Sequence, residues 1–205
     1  MKDAHGAMNN LSNIYERMKH RTEKNGSSDE KNAAPKKNAM QKEYAPKGGA
    51  HAKWECLRAH RKRDIERIAR WLERNGRFSQ EKDLIQHGTT SVYEHSEKVA
   101  RVSRHIAGLL PVKVRKNALT RGALLHDYFL YDWHDKNNGR KLHGFTHPRT
   151  ALENAKRDYK LTKVEQDIIA HHMFPLIPIP PHTKEGWIVC IGTRSARPRR
   201  PLHHI

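Results

Sequence analysis

The chain has 205 residues, enough for one domain of about 100–200 residues with a proper core plus tails. Hydrophobic residues make up only 36% and mean hydropathy is −0.95, too polar for a chain that folds throughout. No apolar run approaches the ~18 residues of a membrane span, and two cysteines exclude a disulfide framework.

The formal net charge of +18 is unevenly spread: +8 over residues 1–63, +6 over 64–192 and +4 over 193–205. Excess charge concentrated at the ends is the pattern of solvated basic tails rather than of a basic domain face. The N-terminus has no apolar stretch of a secretory signal, and Asp3, Glu16 and Glu23 argue against a transit peptide. A reducing, cytoplasmic setting is therefore expected, with no membrane partner.

Residues 1–52 are rich in Asn, Lys, Gly, Ala and Ser without a sustained apolar period. Such a segment cannot bury enough surface to offset its ordering entropy, so a disordered basic N-terminal extension is expected. Periodicity begins in "ECLRAHRKRDIERIARWLERNGRF", where Ile65, Ile68 and Leu72 recur at helical spacing with Trp71 alongside, and Asn75-Gly76 supplies a stop. In "TTSVYEHSEKVARVSRHIAGLL", Val92, His95, Val99, Val102, Ile106 and Leu109 form one stripe, and Ser91 with Glu94 makes a capping box. His95 stands inside that stripe.

"NALTRGALLHDYFLYDW" predicts a central helix, apolar nearly all round, with His126 and Asp127 in its last turns. A polar loop follows, and Pro148 is suited to open the next helix, with Ala151, Leu152, Ala155 and Tyr159 inward. Thr162 and Glu165 form a second capping box before "KVEQDIIAHHM". "FPLIPIPPH" is a Pro-rich connection that cannot be helical, and "KEGWIVCI" opens a last buried segment. No strand-like alternation or Gly-rich phosphate loop is evident, so the class is all-α. Residues 53–191 form the helical domain and 192–205 an aberrant basic tail.

Chemistry concentrates in His95, His126, Asp127, His147 and His172, one ligand group per helix or loop. A lone histidine on an apolar face is usually a satisfied core residue, but burying this many imidazoles and a carboxylate without partners would be costly. Metal coordination would satisfy them together. His171 stays open as the alternative to His172, because adjacent helical residues point about 100° apart and only one can face the site.

The blocks "HGTTSVYEHSEKVARVS", "RGALLHDYFLYDWH", "LHGFTHPRTALENA", "IIAHHMFPLIPIPP" and "GWIVCI", in this order over residues 80–191, resemble small bacterial HD-domain proteins. The resemblance implies an HD-type helical bundle and a metal-dependent phosphohydrolase. His95 matches the first metal-binding histidine, and His126 with Asp127 matches the pair that names the superfamily and carries catalysis. His147 and His172 match the second-metal histidines of the binuclear branches. It further implies two divalent transition metal ions (Mn, Fe, Zn, Co or Ni), a metal-activated water and a small phosphorylated substrate. Arg149, Arg121 and Lys141 are candidates for the substrate phosphate, or else ordinary solvated bases. Trp133, His134 and the Pro-rich run frame a pocket rim or serve as packing, and His87 and His143 fall near the site without being ligands. The competing reading is a non-catalytic basic helical protein that contacts nucleic acid through its tails.

The pattern departs from the family in two places. Leu130 stands where many HD hydrolases have a lysine, and Thr193 stands where the last metal-binding aspartate is expected. Gly192-Thr193-Arg194-Ser195-Ala196-Arg197 can be encoded by GGG ACA AGA TCT GCT CGG. Read one base before the threonine codon, that string gives Asp-Lys-Ile-Cys-Ser, the ending the family pattern requires. A one-base shift near residue 192 is the expected origin of the tail.

Overall fold

The computed structural model describes residues 49–135 and 142–196. The expectation of a disordered extension falls, up to residue 48, outside the described residues, as do Lys141 and residues 197–205. Among the described residues, six helices and one short hairpin make an all-α bundle, and no helix is long and apolar enough to cross a membrane.

Helix α1 (Ala50–Asn75) starts three residues before the boundary drawn from composition. Ile65, Ile68, Ala69 and Leu72 are buried, while Trp71 stays 42% exposed under the Arg121 guanidinium. Residue 76, the helix C-cap, is a glycine for a steric reason. A Cβ there would overlap the Tyr159 phenol, whose hydroxyl donates to the Leu72 carbonyl at 2.7 Å. A 3-10 turn (Phe78–Lys82) then drives Phe78 into the core.

Gly88 just ahead of the Ser91 cap is the one sequence sign of the hairpin β1 (Ile85–His87) and β2 (Thr90–Ser91), two antiparallel strands too short to show alternation. Gly88 turns it with φ +59°, a conformation that side chains rarely adopt. β2 runs into α2 (Val92–Leu109), whose capping box forms as expected, with Ser91 Oγ accepting from the Glu94 N–H and the Glu94 carboxylate from the Ser91 N–H. The stripe is buried at Val92, His95 and Val99 and surfaces towards the end, where Leu109 is exposed.

Helix α3 (Lys116–Leu124) is the centre of the bundle, packed by α2, α5 and α6. It ends earlier than expected, so His126 and Asp127 lie in the turn just beyond it. Helix α4 (His143–Asp158) begins five residues before Pro148, which sits inside it. Proline removes an N–H that would have bonded the carbonyl four residues back, so only the early turns tolerate it. Ala151 and Ala155 face the core as expected.

Helix α5 (Lys163–His171) carries the second capping box, with His172 as its C-cap. Helix α6 (Lys184–Ala196) continues past the boundary drawn at residue 191, with Gly192, Thr193 and Ala196 buried. Nothing in Gly192-Thr193-Arg194-Ser195-Ala196 breaks a helix; the first proline is Pro198. A Cβ at Gly192 would come 2.5 Å from Ser103 Oγ, so a side chain there would turn that hydroxyl aside.

Candidate metal centre

Four elements converge on one carboxylate. His95 comes from the first turn of α2, where the capping box fixes the helix start. His126 and Asp127 come from the turn after α3, His147 from α4 and His172 from the end of α5. All five are buried, each with 4% exposure or less.

The two oxygens of Asp127 divide the histidines between them. Oδ2 lies 3.3 Å from His126 Nε2 and 3.7 Å from His95 Nε2. Oδ1 lies 3.2 Å from His147 Nε2 and 3.4 Å from His172 Nε2, and those two nitrogens are 3.0 Å apart. Two sets of potential ligands result, His95–His126–Asp127 and Asp127–His147–His172. Donors about 2.1 Å from a shared ion lie about 3.0 Å apart at a right angle and about 3.4 Å apart at the tetrahedral angle. The second set falls in that range; the first is looser.

The outward faces of the rings decide what belongs in the middle. His126 Nδ1 contacts the Ala123 carbonyl at 2.9 Å, His147 Nδ1 that of His143 at 2.9 Å, and His172 Nδ1 that of Ile169 at 3.0 Å. A carbonyl only accepts, so each Nδ1 carries the proton and each Nε2 turns a lone pair inward. Lone pairs of imidazoles and both carboxylate oxygens then occupy one space, which is repulsive unless protons or cations lie between them. Protons are disfavoured there, because burial pushes His95 and His172 down to about 4. The Asp127 carboxyl lies well below the usual range although burial opposes its charge, so it too holds no proton there. His126 Nε2 and Asp127 Oδ1 have no hydrogen-bond partner. Buried donor atoms of this kind fit divalent cations.

Gln86, which sequence reasoning missed, comes from the hairpin. Its Nε2 donates to Asp127 Oδ2 at 2.8 Å. The turn at Gly88 just ahead of the Ser91 cap was the available signal that this residue returns to the helix bundle. Glu81, also missed, is fully buried with neither oxygen hydrogen-bonded; burial and then the Asp127 charge raise its pKa well above the usual carboxylate range.

The remaining expected residues are placed as follows. His171 turns away from the cluster, its Nδ1 2.9 Å from Asp167 Oδ1, so His172 is the one that faces the site. His87 stands edge-on to His95 at 6.1 Å between centroids, and His143 stacks between His147 and Trp133. The rim expected of Trp133 is thus an aromatic stack beside the histidines, with His134 against its outer face. The phosphate candidates are engaged elsewhere: Arg121 pairs with Glu165 at 3.0 Å, and Arg149 pairs with Glu153 at 2.9 Å on the surface. Thr193 is buried and donates to the Val189 carbonyl. With His172, Met173, Phe174, Leu176 and Arg194 it lines a cavity of about 170 Å³. Thr193 and His172 thus line one cavity.

No curated protein and no solved structure matches the chain. The family model of the HD domain does, over residues 92–192, about half of the chain and every residue of the histidine–aspartate cluster. The bundle, the cluster and this match together make the chain an HD-domain protein.

Proposed function

We propose that this HD-domain protein is a metal-dependent phosphohydrolase that cleaves small phosphate esters or nucleotides. The observation that carries the reading is the sharing of Asp127 between two sets of inward-facing histidines. A donor set of imidazoles and one carboxylate favours Mn, Fe, Zn, Co or Ni over Mg, which prefers oxygen ligands. Such cations, when bound, supply Lewis acidity towards a phosphoryl oxygen and lower the pKa of water towards neutrality.

The chain's own residues prepare that chemistry. Backbone carbonyls on three Nδ1 atoms fix the tautomer and turn each Nε2 towards Asp127. Gln86 fixes the rotation of the Asp127 carboxylate, so that each oxygen serves its own pair of histidines. Arg194, exposed and lining the same cavity as His172, supplies positive charge for an anionic substrate group. Thr193 offers a poor ligand where a carboxylate would complete the set, which predicts weakened metal binding and low activity in this chain.

Metal analysis of the purified protein, with a screen of phosphomonoesters, nucleotides and cyclic dinucleotides in added Mn, tests the reading. Near-stoichiometric metal and turnover, both lost in His126→Ala and Asp127→Asn, support it. A folded protein that binds no transition metal and retains nucleic acid through its basic ends would establish the competing class.

A further inference from the structure

A second cluster lies outside the centre just described. Asp167, His171 and His182 place three potential ligand atoms within 4.8 Å of one another. Asp167 and His171 share a face of α5 at i and i+4, the spacing at which helical side chains meet. His182 arrives from the far end of the Pro-rich segment. Asp167 Oδ1 lies 2.9 Å from His171 Nδ1 and 3.0 Å from His182 Nδ1. The His182 side chain is 58% exposed, so the cluster opens to solvent.

We propose that Asp167, His171 and His182 form a separate binding site for a borderline transition cation such as Zn²⁺, clipping the Pro-rich segment 173–181 to α5. The carboxylate is held rigidly for this. Its Oδ2 accepts from the Thr183 N–H at 2.8 Å and the Thr183 hydroxyl at 2.6 Å, and its Oδ1 accepts from the His182 N–H at 2.9 Å. These donors help keep it ionised although it is largely buried. A carboxylate oriented by outer hydrogen bonds is what metal sites use to fix a ligand.

Charge and protons balance without a further reactant. Each imidazole carries its N–H on Nδ1, facing Asp167. Moving that hydrogen to Nε2, by exchange with water, leaves the ring neutral and frees Nδ1 for the cation. Two N–H···O contacts are thereby exchanged for two N–metal bonds and one O–metal bond. The two separations from Asp167 Oδ1, 2.9 and 3.0 Å, need to widen by about 0.5 and 0.4 Å, since tetrahedral donors lie about 3.4 Å apart. Water from the open side supplies the fourth ligand. The clip bears on the main centre, because Met173, Phe174 and Leu176 of the clipped segment line the cavity beside His172.

The test is Co²⁺ and Zn²⁺ binding by the full chain, read by calorimetric stoichiometry and the visible spectrum of Co²⁺. Wild type should take up one equivalent more than His182→Ala. His182→Asn, whose amide still donates to Asp167 but is a poor ligand, should lose the same equivalent. A variant with the main centre removed, His126→Ala with Asp127→Asn, should keep one equivalent that His182→Ala then weakens at least tenfold. Retention of that equivalent would stand even if the phosphohydrolase reading failed. Equal stoichiometry in wild type and both His182 variants, or no binding by a folded main-centre variant, would overturn the proposal.

Discussion

Lowering the pH should destabilise the metal-free protein well before its surface carboxylates titrate. Burial pushes His95 and His172 down to about 4, whereas an unfolded chain protonates histidine near about 6.5. Between those values the unfolded state binds protons that the native state refuses, so stability is full above about 6.5 and falls as pH falls. From pH 7 to pH 5 each group costs about 2 kcal/mol, or about 4 kcal/mol for the two. That is a large share of the roughly 5–15 kcal/mol typical of a domain. His143 is also pushed down to about 4, by burial and then by His147, and adds to the loss in proportion to its partial burial. Asp127 does not compensate in this window: its pKa is depressed, so its contribution holds until pH falls below the ordinary carboxylate value. Urea midpoints in chelator at several pH values from 7.5 to 5 measure the slope. His172→Asn should make it shallower by about one group. A midpoint that stays flat from pH 7 to 5 would refute the claim that these imidazoles are held neutral.

Gln86→Ala should weaken metal binding about 10–100-fold with little change in fold, since it releases only the Asp127 carboxylate; unchanged affinity in a calorimetric measurement would count against that role. In Gly122→Ala the new Cβ would come 2.5 Å from Ile168 Cδ1 and 3.0 Å from its Cβ, so a loss of about 1–3 kcal/mol is expected by denaturation. Glu81→Gln removes an acid whose pKa is raised in the folded state. The native chain loses that contribution as pH rises above the ordinary carboxylate value, so the variant's stability relative to wild type should improve from pH 5 to pH 8. Thr193→Asp should raise metal affinity, and the in-frame ending Asp-Lys-Ile-Cys-Ser should raise it further; resequencing the gene checks the proposed shift itself.

The parts of this fold written in local spacing were legible. Two capping boxes, the stripe of α1 and that of α2 as far as Val99 need only residues three and four apart, and each forms where its letters stand. What was misread depends on distant partners or on backbone that spacing does not encode. No glycine or proline follows Leu124 until Gly139, so spacing alone carries the helix on through His126, yet the chain turns after Leu124 and Leu130 adopts φ +56°. Pro148 seemed a first helical residue by convention, but α4 starts at His143, with Leu142 at φ +64° ahead of it. The choice between His171 and His172 was beyond periodicity. It is settled by Asp167, one turn back, and by His182, eleven residues on.

The placing of the histidines follows from how helices end. The last turn of any helix leaves carbonyls without an intrahelical donor. The Ala123 carbonyl in the last turn of α3 and the Ile169 carbonyl in the last turn of α5 each meet an imidazole Nδ1 from three residues on, His126 and His172. One ring therefore does two things at once: Nδ1 satisfies a helix end, and Nε2 is left as a lone pair facing Asp127. His147, inside α4, has its tautomer fixed in the same way by the His143 carbonyl four residues back. The pair His126-Asp127 thus belongs just beyond α3 rather than in its last turn, where the sequence had suggested it. His126→Ala consequently removes a helix cap together with a ligand and should cost stability even without metal. Gln86→Ala touches neither cap nor ring, which makes it the cleaner probe of the centre.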